Sequence, residues 1–141
     1  MTLSQRYEIG SLIGRDGDVW LYRARERTTG SAVTLRILAG EVAARPEARL
    51  RFLQLAALQA RLRHPNIERV LDIGEETEGP YAAVEEVAGA GLGAVVAARG
   101  PLPAAHVADI VRAIADALDY LHDRGLVHGA LRPEVVLIDR S

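Results

Sequence analysis

The chain has 141 residues, 49% of them hydrophobic and 26% charged, which fits one ordinary folded domain and excludes a disordered, collagen-like or low-complexity protein. A net charge of −2 supplies no basic field for a nucleic-acid backbone, so no nucleic-acid partner is expected. The absence of cysteine excludes a disulfide framework and any thiolate zinc site, and the four histidines are not in metal-ligand spacing.

Three β-patterned runs open the chain, at 7–13, 19–25 and 32–38, with Asp16-Gly17 and Thr29-Gly30 as turn signals, and together they predict an antiparallel meander. In the third run Val33, Leu35 and Ile37 alternate with Thr34 and Arg36, so the period of two puts Arg36 on the face away from the aliphatic row. A helix is predicted over 47–63, opened by Pro46, with Phe52, Leu55, Leu58 and Leu62 as its apolar core face. His64-Pro65-Asn66 ends it. Two further strands are expected at 69–74 and 81–87, joined by a polar turn over 75–80.

Gly89, Gly91 and Gly93 mark a hinge, which divides the chain into 1–88 and 89–141. A helix over 103–123 follows, with Val107, Ile110, Val111, Ile114, Leu118 and Leu121 on one face and Gly125 available to cap its end. Short strands are predicted at 126–128 and 135–138, and Asp139 is read as a turn residue. The longest charge-free stretch, 87–98, is well under the 18 or so apolar residues of a membrane span, and Arg6 and Glu8 interrupt any secretory leader. A cytoplasmic protein without a membrane segment is the expectation.

Five strands with one helix after the third, then a hinge, a long helix and a His-containing loop form an ordered series of motifs. RYEIGSLIG, AVTLRIL, RLRHPNI, YAAVEEV and YLHDRGLVHGALRPEVVLI carry it from Arg6 to Ile138. The series resembles the eukaryotic-like serine/threonine protein kinase domain, especially its bacterial branch. The resemblance implies an α+β, protein-kinase-like fold: a five-stranded antiparallel N-lobe with the helix the family calls αC over 1–88, and the start of a helical C-lobe (αD, αE and a degenerate catalytic loop) over 89–141. Together they would make one incomplete domain.

Position by position, the resemblance implies an altered catalytic apparatus. The glycine-rich loop keeps Gly14 but has Asp16, which brings a carboxylate beside phosphate and reads more simply as part of a hairpin turn. Arg36 stands where the family has a phosphate-binding Lys, and its planar guanidinium is no copy of a compact ammonium. Leu55 occupies the place of the Glu that orients that Lys; it reads as helix core and leaves Arg36 without its orienting partner. In the catalytic loop Ala130 replaces the Asp that takes the substrate proton, and Val135 replaces an Asn that ligates a metal; Arg132 stands at the Lys position. Gly129 replaces an Arg, and His128 is retained as a packing residue. The Asp-Phe-Gly motif would fall after Ser141. No intact catalytic residue and no metal site are therefore expected.

A nucleotide pocket is implied at Gly14, Leu21, Thr34, Arg36, Val84, Glu85, Val87 and Leu137, although apolar residues at such places also build ordinary core. No cofactor is expected, with ATP bound weakly if it binds. The resulting expectation is a catalytically impaired kinase-like domain, a pseudokinase and not an enzyme, working as a protein-interaction or regulatory module. The alternative is the front portion of an ATP-dependent protein serine/threonine kinase with atypical catalytic residues. The apolar face of the helix at 103–123 is expected to meet a protein partner or a second copy of the chain.

Overall fold

A computed structural model describes residues 2–86, 89–125 and 137–139, with 89–90 and 137–139 described as backbone. The chain forms two compact units, one of Met1–Arg63 with Glu68–Glu86, the other of His64–Ile67 with Val87–Ser141.

The first unit is a five-stranded antiparallel sheet. After one helical turn, α1 (Leu3–Arg6), come β1 (Tyr7–Asp16), β2 (Val19–Glu26) and β3 (Ala32–Leu38) as consecutive hairpins. Gly17 (φ +58°) and Gly30 (φ +74°) supply the left-handed conformations these turns require. A short turn α2 (Gly40–Ala43) leads into α3 (Pro46–Ala60), and then β4 (Val70–Glu76) and β5 (Gly79–Glu85) complete the sheet in the order β1-β2-β3-β5-β4. The last hairpin is tighter than expected. Glu75 pairs with Pro80 and Glu76 with Gly79, so only Thr77-Glu78 turn, and the polar run at 75–80 is mostly ladder.

Both faces of the sheet's central strands are covered. On one, Val33, Leu35 and Ile37 pack with Tyr81, Ala83, Leu3 and Tyr7; on the other, Ala82, Val84 and Val70 pack under Ala56 of α3, with Phe52 and Ala60 alongside. Central strand β5 therefore reads as a continuous apolar run from Pro80 to Val84, while β3 alternates, with Thr34 and Arg36 between its buried residues. The helix corrects the expected core face. Leu55 is 56% exposed and Leu58 43%, because the small residues of the Phe52, Ala56, Ala60 row let the helix lie close to the sheet and rotate the leucines outward.

In the second unit β6 (Gly89–Gly91) pairs antiparallel with β7 (Leu137–Asp139), which places Asp139 opposite Gly89 in a ladder and not in a turn. Between them run α4 (Leu92–Arg99) and α5 (Ala104–His122). His64 packs its ring 5.1 Å from Tyr120 of α5, and the Asn66 amide donates to the Ala113 carbonyl at 3.2 Å. Ala117 is the buried residue of α5, while Val107 and Val111 lie exposed on it. The strand expected at 126–128 lies outside the described residues. Among the described residues no helix is long and apolar enough to cross a membrane.

Candidate functional site

Arg36 sits mid-strand in β3, with Leu21 of β2 opposite it on one side and Ala82 of β5 on the other. Directly paired residues share a face. Arg36 therefore projects on the α3 side, together with Leu21, Ala82 and the Thr34–Val84 pair.

Two polar groups receive its guanidinium. Nη2 lies 3.1 Å from Glu68 Oε2, and Nη1 donates to Gln59 Oε1 at 3.4 Å. Gln59 Nε2 in turn donates to the Glu68 carbonyl at 3.3 Å, which closes a ring of three residues drawn from β3, α3 and the segment before β4. Burial raises the Glu68 carboxyl above its ordinary range, against the opposing pull of Arg36. Arg36, without the family's helix Glu, is thus paired through other residues. Leu55 is outside the ring, but Gln59, one helical turn later, is in it, and Glu68 supplies the charge. The sequence signal for Gln59 was a lone amide in an Ala/Leu-rich turn four residues after Leu55. Glu68 had no local signal, because its closeness to Arg36 depends on β5 bringing β4 to β3.

The other expected residues are placed as follows. Gly14 pairs with Leu21, and no described atom lies within 4 Å of where a Cβ on it would stand. Beyond it Asp16 pairs with Val19, and the turn is pinned by Arg15, whose Nε donates to the Gly17 carbonyl at 2.6 Å and whose guanidinium lies 4.8 Å from the Trp20 ring centre. Thr34 and Leu21 are half-buried, and Val84 is fully buried under α3. Glu85 is tied to Arg69, accepting from its N–H at 3.0 Å and donating its own N–H to the Arg69 carbonyl at 2.9 Å. Leu137 is described as backbone, opposite Gly91. Val87, Ala130, Arg132 and Val135 lie outside the described residues.

Two shallow cavities in the first unit lie away from Arg36. One, about 330 Å³, is lined by Ile9, Trp20, Tyr22 and Ile37 on the opposite face; the other, about 300 Å³, is lined by Glu8, Arg23, Arg25 and Glu86. Among the described residues no group of three or more His, Asp or Glu side chains could hold a metal ion.

A model of the protein kinase domain matches residues 7–141. Serine/threonine-protein kinase PknB of Mycobacterium leprae is 35% identical over 99% of the chain, and serine/threonine-protein kinase pkn3 of Myxococcus xanthus is 32% identical over 98%. The chain spans 23% and 25% of those two proteins. Among solved structures, the PknI kinase domain of Mycobacterium tuberculosis superimposes with a TM-score of 0.80 at 33% identity, covering 96% of this chain and 55% of that one. Rad53, solved with AMP-PNP, gives 0.85 at 28% identity, covering 99% of this chain and 36% of that one.

These relatives overturn the expectation that the chain is not an enzyme. Proteins matched over nearly its whole length are named serine/threonine-protein kinases. The altered base, metal-ligand, glycine-loop and ion-pair positions do not by themselves remove activity: a positioned base, for one, contributes about 10² to 10⁴ in rate, a fraction of the 10⁶ or more that enzymes typically supply. In phosphoryl transfer most of the remainder comes from positioning and electrostatics.

Proposed function

Because the chain belongs to the protein kinase domain family, we propose that it is the front portion of an ATP-dependent protein serine/threonine kinase with atypical catalytic residues. The observation that carries this reading is the 32–35% identity with named serine/threonine-protein kinases, extending over 98–99% of the chain. On this reading Leu21 and Thr34 meet the adenine with the sheet surface near Val84, and Arg36 meets the phosphates. The guanidinium presents planar, forked donors to phosphate oxygens. Ala130 has no proton acceptor, so the attacking hydroxyl loses its proton to solvent or phosphate late in a loose transition state. Val135 offers no oxygen to a divalent ion, and among the described residues no cluster of three or more could hold one, so no step is assigned to a metal here.

The test is phosphoryl transfer from labelled ATP by the full chain, in the gene product that contains it, to serine- and threonine-bearing peptides. Label on serine or threonine that falls in an Arg36→Gln variant is expected. Incorporation no greater than with heat-inactivated protein would overturn the reading.

A further inference from the structure

In the family the chain resembles, the strand cation is held by a carboxylate on the helix; here that place is Leu55, 56% exposed and outside the ring around Arg36. The ring is nonetheless closed. Glu68 and Gln59 take two guanidinium donors, and Gln59 ties itself back to the Glu68 carbonyl.

We propose that Glu68, assisted by Gln59, is the positioning residue that aims Arg36 at the nucleotide phosphates, a carboxylate moved from the helix to the root of β4. This rests on the nucleotide-site reading given above. Three observations carry it. The Arg36 side chain is 32% exposed and that of Glu68 24%, so the pair is sheltered but one side of the guanidinium remains reachable. The pair is fixed by the sheet, since Arg69 beside Glu68 exchanges two hydrogen bonds with Glu85 at the end of β5. Burial keeps the Glu68 carboxyl raised even beside Arg36.

The relocation has a consequence for control. A carboxylate on a helix engages the strand cation only when the helix is seated, whereas one at the root of a neighbouring strand stays engaged as long as the sheet is folded. Among the described residues, Gln59 is what links the ring to α3.

A double-mutant cycle on the full chain tests this, with Arg36→Gln, Glu68→Gln and both together, using a fluorescent ATP analogue with Mg²⁺ as the probe and melting temperature as the folding control. Each single variant should melt above the assay temperature and bind about tenfold more weakly, and the double variant should bind no more weakly than Arg36→Gln alone. Binding by Glu68→Gln equal to wild type, while Arg36→Gln binds weakly, overturns the role of Glu68 and leaves the nucleotide reading intact. Losses that add in the double variant also overturn it, because Glu68 would then act independently of Arg36. If wild type does not bind the probe, or Arg36→Gln binds it unchanged, the nucleotide reading itself fails.

Discussion

Replacing Asp72 with Ala should unfasten the N-terminus of the chain from the far edge of its sheet. Asp72 Oδ2 accepts from Arg6 Nη2 at 2.6 Å, Tyr7 OH at 2.9 Å and Tyr81 OH at 2.9 Å, and Oδ1 accepts from the Ile73 N–H at 2.9 Å. Arg6 also donates to Tyr81 OH at 2.5 Å, so one carboxylate holds α1, β1, β4 and β5 together. Hydrogen bonds to a charged group contribute about 1.5–3 kcal/mol each when sheltered. Arg6 is 38% exposed and Asp72 28%, so water replaces part of what is lost. The phenols are less forgiving, since Tyr7 and Tyr81 are buried side chains. Asp72→Ala should therefore cost about 2–4 kcal/mol, or roughly 6–12 °C in melting temperature for a chain of this size. Thermal unfolding followed by circular dichroism measures it, with Asp109→Ala as the control: Asp109 pairs with Arg112 at 3.3 Å, but both side chains are 72% exposed. A loss for Asp72→Ala no larger than for Asp109→Ala would refute the claim that this cluster fastens the fold.

Alkaline pH probes the same cluster. Burial first, and then the hydrogen bond to Asp72, raise the Tyr7 and Tyr81 phenols above their ordinary value, so above about pH 10 the unfolded chain releases protons that the folded one keeps. The contribution of the two phenols should be level below that pH and fall steadily above it, and a Tyr7→Phe, Tyr81→Phe variant should show a shallower alkaline fall in urea titrations. Gly74→Ala should destabilise by about 1–3 kcal/mol, because its new Cβ would stand 3.1–3.3 Å from the Tyr81 ring; equilibrium unfolding at wild-type denaturant concentration would contradict this. Leu35→Ala, at a fully buried position, should cost about 2–5 kcal/mol and Leu55→Ala under about 1 kcal/mol; equal costs would place Leu55 in the core after all.

Much of this protein is written locally. Alternation in AVTLRIL fixes a strand over Ala32–Leu38 and the opposition of Arg36 to the Val33, Leu35, Ile37 row, because a pleated backbone gives successive side chains to opposite faces. Gly17 and Gly30 fix the hairpin turns, since few other residues accept positive φ at low cost. The run from Ala104 to His122 reads as a helix for the same local reason. Its ordered motifs also identify the kinase family. Pairing across strands is not local. Periodicity alone offered the leucines of α3 as core, and only the sheet beneath it selects the Phe52, Ala56, Ala60 row. A bulge in β4 sets Leu71 and Asp72 together against Ala83, which turns Asp72 onto the face of Tyr81, where simple alternation from Val70 would have sent it under α3. Arg36 and Glu68 are 32 residues apart and meet only because β5 inserts between β3 and β4. The sequence by itself thus determined the first three strands with their two turns, the two long helices and the family of this chain, because each depends on neighbours along the backbone. The partner of Arg36 and the anchor of the N-terminus were decided by strand order and register, which exist only once distant segments have come together.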